Sequence, residues 1–582
     1  MRRLMVATAL EETWPKDDTP VLFLGEWCRK YNRKKYWSNL NGEVLQYHWD
    51  DRAKLYNDYE YIRQFTESVL AELTQILNNI HKVNFTIRYW RIIIGPWLME
   101  FICIIYDRWS NLKNAFKKYE INSVNLVSHI DCDNIPLDEQ QFGEWAKNDL
   151  WNNFIYSKLL SILKYKNCNY IVSNDSLKSE DQLIESPAKN NLKKCIDKVS
   201  RMLSSNGSYF IYYPYLNVCN NILLHLKLFQ IPKFYYRHRI NSIIPVKNMR
   251  NWEMDNKYNN IFEELVKKII PEQIPKIYLE GYKIIKNKIN TIGYPKYPKL
   301  IWTTNAFHSD EVFKVWAAEK TEHGVPLVIG QHGGHYGQGL FSLQENHEIN
   351  ICDKYLTWGW SGKDKKIVPV GILKKKIKKR NKSKKLFSHL IISGTPRYSG
   401  IIFSAPMSKQ YLDYQNDQFK FHAHLPYSIK RKIKIRLYHT DYDWNQFERW
   451  KNIFSESIID DCNKNYLTSI INSKIVICGW NSTTYLESLA LNIPTMMFWN
   501  LKLFELREDS LPYFNKLKDV GVFHETPLSA AKHLTKIWDN IELWWNSVEV
   551  RNARKNFVDK YCNNKKVLNN IKNTLTKVYK AR

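Results

Sequence analysis

The sequence predicts an α/β protein of two Rossmann-like domains facing a cleft, with an α-rich insertion in the N-terminal half. Three observations predict it. A chain of 582 residues is too long for one core, because single cores stop growing at about 250–300 residues. Short apolar strands alternate with helix-patterned stretches in both halves, as parallel sheets require. Between the halves lies KKKIKKRNKSKK (374–385), nine basic residues in twelve without apolar periodicity, a solvated connector that its like charges extend. The boundaries follow as 1–373, 386–560, and a C-terminal helix over 561–582.

Taken in order, Leu4 to Leu10 reads as a strand, EETWPKDDTP as a loop, and Val21 to Tyr31 as the helix after it. Residues 55–120 carry apolar positions at three and four spacing, as in YIRQFTESVLAELTQIL, which predicts the helical insertion. The run from Ile92 to Tyr106 contains Pro96 and Glu100 and falls short of the ~20 residues a bilayer-spanning helix needs. It reads as a buried helix. Residues 160–300 are rich in Lys and Asn and weakly patterned. A clear rhythm returns with the strand LIWTTN (300–305), a helix from Ser309 to about His323, the strand PLVIGQ and the glycine turn HGGHYGQG. Beyond the connector, strands at 389–393, 434–439, 474–479 and 494–499 alternate with helices near 406–420, 464–472 and 482–491, making a second doubly wound sheet.

The formal charge of +28 invites a nucleic-acid reading, but Lys is spread along the whole chain, and no zinc finger, RNP motif or basic region with heptads is present. No nucleic acid is expected as a partner. An anionic glycan or a peripheral contact with an anionic membrane face makes better use of the charge. The ten cysteines show no C-x-x-C pair and read as reduced thiols. The N-terminus has a basic pair but only a short apolar stretch before its acids, so no secretory signal is expected and the protein is placed in the cytoplasm, with room for contact at the inner membrane face.

The strongest chemical feature is ICGWNSTTYLESLALNIPTMMFW. An apolar strand breaks at Gly479, and Asn481, Ser482, Thr483 and Thr484 open a helix whose unpaired N–H groups and positive dipole end suit a donor phosphate. An ordinary N-cap explains Asn and Ser equally well when taken alone. Its place at the carboxyl end of a parallel strand, where such folds bind ligands, favours the phosphate. Glu487, one turn further in, could accept from a ribose. In IRLYHTDYDW, Arg436 and His439 end a strand and could meet phosphate or base; Arg397 in ISGTPRYSG is a third cation expected at that edge. In GQHGGHYGQGLF, Gly333 and Gly334 allow close backbone approach, and His332 is the favoured catalytic residue. The turn is neither a Walker loop nor a GxGxxG opening. Glycosyl transfer needs a carboxylate near the anomeric carbon; candidates are Asp310, Glu311, Glu11, Glu12, Glu345 and Glu348, with Asp310 ranked first and Glu12 retained. No metal and no cofactor are expected, since the acidic pair in DCD (131–133) lies outside the nucleotide domain.

On LMVATALEETWP, HWDDR, FGEWAKNDLWNNFIYSKLL, TTNAFHSDEVFKVWAAEK, GQHGGHYG, YLTWGW and NSTTYLESLALNIPTMMFW, the chain resembles a family of transferases from bacterial surface-polysaccharide and nonulosonic-acid gene clusters. More distantly it is similar to sialyl- and Kdo-transferases of the GT-B type. In those, a His-Pro pair and a Ser-Ser/Thr pair hold CMP; Ser482-Thr483 matches the second, while His439-Thr440 stands in place of the first and departs from it. The resemblance implies a glycosyltransferase moving a 2-keto sugar acid from a CMP donor to a glycan or lipid-linked acceptor of an O-antigen or capsule. The departure leaves UDP- or GDP-hexose donors open. A CDP-polyol phosphotransferase and a non-catalytic glycan- or nucleotide-binding protein are the alternatives.

Overall fold

The computed structural model describes residues 2–128, 134–172, 207–373, 387–460 and 466–581, with positions 177 and 199. Three parallel sheets organise them. The first joins β1 (Arg3–Val6), β2 (Val21–Phe23), β3 (Gly42–Val44), β4 (Ile121–Val127) and β5 (Cys168–Ile171) in the order β3-β2-β1-β4-β5. The second joins β6 (Tyr209–Tyr212), β7 (Leu300–Thr303), β8 (Leu327–Gly330), β9 (Lys354–Thr357) and β10 (Ile367–Pro369) in sequential order. The third joins β11 (Ser388–Ile391), β12 (Ile433–Arg436), β13 (Ile458–Ile459), β14 (Val476–Cys478), β15 (Thr495–Phe498) and β16 (Phe523–His524) in the order β13-β12-β11-β14-β15-β16. Read from its own first strand, that is the 3-2-1-4-5-6 doubly wound order, which opens a crevice between the first and fourth strands.

The α/β class with parallel sheets stands as expected. What the sequence pattern did not separate is that residues before 373 carry two sheets rather than one. β5 and β6 are four residues each, lie at sheet edges, and are embedded in the Lys/Asn-rich stretch, so neither makes a long apolar run. The helix expected over Val21 to Tyr31 is corrected: Val21–Phe23 is a fully buried strand paired on both sides, followed by a 3-10 turn at Glu26–Cys28. A strand covered on both faces reads as a continuous apolar run, which hides its period of two. The connector at 374–385, and with it the boundary placed there, lies outside the described residues, as does DCD at 131–133.

Eight helices matter for the site: α1 (Arg52–His81), α2 (Ile87–Lys118), α3 (Glu139–Trp145), α4 (Val218–Lys227), α5 (Glu311–Glu322), α6 (Leu343–Ile351), α7 (Thr483–Ala490) and α8 (Val567–Lys580). The helical insertion is α1 and α2. Asp51 caps α1 by accepting from the Lys54 N–H at 3.0 Å, and Lys82, at φ 52°, ends it in the left-handed region. Among the described residues α2 alone is long and apolar enough to cross a membrane, yet 89% of its apolar window is buried inside the fold. It packs against α1 and α5, with Trp90 and Trp97 wholly enclosed. Free thiols are found at Cys28, Cys103, Cys168, Cys219, Cys352, Cys478 and Cys562; Cys132, Cys195 and Cys462 lie outside the described residues.

The sheets are locked by polar contacts between loops at their carboxyl ends. The first meets the third through Arg397, whose Nη2 lies 2.9 Å from Asp149 Oδ2 and 3.1 Å from Asp443 Oδ2, while Lys30 Nζ reaches the same two carboxylates at 3.0 and 3.2 Å. The second meets the third through an antiparallel bridge between Gly339 and Leu506 and the 2.7 Å pair of Arg507 with Glu345.

Candidate functional site

The third sheet's crevice lies between the loops leaving β11 and β14. From β14 the chain passes Gly479 to Ser482, which stands as an extended N-cap (φ −143°, ψ −171°) and makes no side-chain capping bond. The first-turn N–H groups of α7 are therefore uncapped by the residue that usually serves them. Ser482, Thr483 and Thr484 are half-buried. Asn481 is buried; its Oδ1 accepts from Tyr485 Oη at 2.9 Å, and its Nδ2 has no hydrogen-bond partner among the described residues.

Against this helix start lies the glycine turn that follows β8. A Cβ on Gly334 would fall 2.2 Å from the Thr483 nitrogen and 2.3 Å from the Ser482 carbonyl carbon, a space only glycine can occupy. Gln338 bridges the two segments: its Nε2 donates to Gly334 O at 2.8 Å and its Oε1 accepts from Tyr485 Oη. Gln331, buried at the start of the turn, donates to Gly333 O at 2.8 Å and accepts from Trp358 N at 2.9 Å and Trp360 Nε1 at 2.8 Å. Gly337 adopts φ 74° and gives its N–H to Glu345 Oε2 at 2.9 Å. These bonds fix the path of the turn and hence the aim of its histidines.

His332 is partly open, with 19% of its side chain exposed, and its Nδ1 lies 3.2 Å from Oε1 of the fully buried Glu348. Glu348 is itself held by Tyr336 Oη at 2.8 Å and Tyr355 Oη at 2.9 Å. Nδ1 makes no hydrogen bond among the described residues, and Nε2 lies 3.5 Å from Gln344 Nε2; the nearby Glu348 carboxylate would favour the tautomer that carries its proton on Nδ1. His335, three residues further on, is held neutral: burial, with His332 and Arg507 beside it, pushes it down to about 3. A cavity of about 330 Å³ opens between α4, α7 and α8, lined by Leu216, Leu223, Leu373, Glu487, Leu491 and Val567 among others, with no residue of the glycine turn. Glu487, 6% exposed, is among the residues that line this cavity.

The remaining expected residues are engaged as follows. Arg397 is corrected from a donor-binding group: it is 3% exposed, and besides Asp149 and Asp443 it donates to Trp27 O, so it clamps two sheets together. Arg436 pairs with Asp460 at 2.7 Å and donates to Ser469 at 3.1 Å. His439 is exposed, its ring tilted at 45° against that of Tyr438. Asp310 caps α5 through Phe313 N at 3.0 Å and accepts from Tyr212 Oη at 2.6 Å; burial raises its pKa. These bonds explain it as a structural cap. Glu12 is exposed in the 3-10 turn after β1, on the first sheet rather than beside the glycine turn.

Sequence reasoning overlooked Gln331, Gln338 and Tyr485, which carry the link between the two segments; two buried glutamines inside a glycine turn were the available signal. It also overlooked Glu100, Glu139 and His308, whose ligand atoms lie within 4.8 Å of one another and could hold a metal ion. His308 Nδ1 sits 3.0 Å from Glu139 Oε1. Although burial opposes it, Glu139 raises the pKa of His308.

A family model matches residues 3–575. The chain belongs to the LIC12162 family of transferases. No protein of curated function matches it. Among solved structures, this LIC12162 family transferase is similar to MurG of Acinetobacter baumannii at 11% identity and TM-score 0.32, over 67% of this chain and 97% of that one. It is similar to TarM of S. aureus at 13% identity and TM-score 0.31, over 47% and 55%, and to the wall teichoic acid polymerase TagF at 12% identity and TM-score 0.27, over 51% and 85%. At these scores the likeness carries no weight beside the chain's own topology.

Proposed function

We propose that this transferase moves a sugar from a nucleotide donor to the precursor of a bacterial surface glycan, in the cytoplasm, with a CMP-activated 2-keto sugar acid as the favoured donor. The approach of Gly334 to Thr483 carries the reading, because it sets the turn bearing His332 against an uncapped helix start. A donor phosphate at that start would accept from the first N–H groups of α7 and meet the positive end of its dipole, with the hydroxyls of Ser482, Thr483 and Thr484 as further donors. Glu487 would take the ribose. His332 Nε2 would accept the proton of the acceptor hydroxyl as its oxygen bonds to the anomeric carbon and the bond to the donor phosphate breaks, while Glu348 stabilises the imidazolium. Membership of a transferase family supports group transfer, and Ser482-Thr483 supports the CMP preference.

The test is a thermal-shift screen against CMP, CDP, UDP and GDP, since a ligand bound only by the folded state raises Tm by mass action. CMP is expected to stabilise the protein, equally with and without EDTA, because the transfer is read as metal-independent. Stabilisation by UDP or GDP alone would redirect the donor to hexoses, and by CDP alone to a polyol phosphate. No shift with any nucleotide would overturn the donor site.

A further inference from the structure

Residues 213–252 contain six Lys or Arg and no Asp or Glu, in a chain whose 58 acids are otherwise spread along its length. This stretch also leaves bulky apolar side chains in water. On α4, Cys219, Leu223 and Leu226 are exposed at i, i+4 and i+7, which makes one stripe along the helix. Phe229, 94% exposed, and Ile231, 59% exposed, continue it. Soluble proteins seldom leave such a contiguous strip uncovered without a use for it.

The strip is built rigidly. Phe229 sits at φ 54°, a region bulky residues avoid, and the turn is held there by three bonds from one side chain. Gln230 Oε1 accepts from Tyr209 N at 2.8 Å, and its Nε2 donates to Tyr209 O at 2.9 Å and lies 2.7 Å from His225 Nδ1. The turn is thereby stapled to the start of β6, and Phe229 is fixed facing outward. Lys227, Arg239 and Lys247 of the same acid-free stretch are exposed.

We propose that α4 and the turn after it, Leu228 to Ile231, form a docking surface for an anionic lipid bilayer. Apolar side chains enter the acyl boundary and cations of a single sign meet lipid phosphates, the two terms that bind a protein to a membrane surface. The stretch offers apolar groups and cations but no acid, the combination that an anionic lipid surface takes. Leu223 and Lys227 also line the 330 Å³ cavity, so docking would bring that cavity beside the bilayer, where a lipid-linked substrate resides. The surface does not depend on the donor assignment, because binding to lipid can be measured without turnover.

The test is flotation of the full chain with phosphatidylcholine vesicles, with and without phosphatidylglycerol, together with hydrogen exchange of residues 218–231. The wild-type chain is expected to float with the anionic vesicles, to gain protection across 218–231 on binding, and to release in high salt. Leu226→Ser with Phe229→Ser removes only exposed groups and is expected to cut the bound fraction by about tenfold, in line with lost apolar burial. Unchanged flotation of that variant, or protection elsewhere but not at 218–231, would overturn the proposal. So would a wild-type chain that ignores vesicles but self-associates through this strip in light scattering, since the surface would then join two copies.

Discussion

Replacing His332 with alanine is expected to lower turnover by about 10²–10⁴-fold, the usual loss when a positioned general base is removed. Its folded stability should hardly change, because the imidazole is partly open, Glu348 keeps the hydroxyls of Tyr336 and Tyr355, and the contact with Gln344 is a long one at 3.5 Å. Glu348→Gln preserves the shape of the partner and removes its charge, so it should lose less. Steady-state kinetics beside a melting curve separate the outcomes. If His332→Ala retained wild-type kcat/KM, the base would lie elsewhere, and if it melted early, His332 would be a packing residue.

Replacing Arg397 with alanine is expected to destabilise the fold by less than the ~3–5 kcal/mol that follows when a buried charge loses its only partner, because Asp149 keeps Lys30 at 3.0 Å and the hydroxyl of Tyr398 at 2.6 Å. Asp149 shows what is lost. Burial alone would raise its pKa, but Arg397 foremost and then Lys30 hold it at about 2, below its ordinary value of 3.8. A carboxyl depressed in the folded state adds stability that is complete above its unfolded pKa and disappears as pH falls through the folded one. The stability gap between wild type and Asp149→Asn should therefore be widest near neutrality and close between about pH 4 and pH 2. Chemical denaturation across that range measures it. A gap independent of pH would mean that shape rather than charge joins the first and third sheets.

The parts legible in the sequence were those whose backbone chemistry is peculiar. HGGHYGQG and GWNSTT each break an apolar strand with residues that permit close approach or leave a helix start open, and they meet in space at Gly334 and Thr483. The short buried strands β14 and β15 were legible as continuous apolar runs. Two-residue strands such as β13 and β16 give no periodicity to read. The partners of Arg397 and Arg436 were not legible, because a cation at a strand end looks the same in sequence whether it awaits a phosphate or already pairs with a carboxylate. Asp149 and Asp460 decide that question, and 248 residues separate Arg397 from the first of them. Asp310 misled in the opposite way: an acid in a helix's first turn is what a cap requires.

The central claim, that a donor phosphate sits at the start of α7, is tested most directly by calorimetric titration of nucleotide into wild type and Thr484→Asp. A negative side chain in the first turn favours the helix dipole by about 0.3–1 kcal/mol but repels a phosphate at the same place. The account predicts a variant at least as stable as wild type that binds the stabilising nucleotide far more weakly. Equal affinity in the two proteins would contradict it.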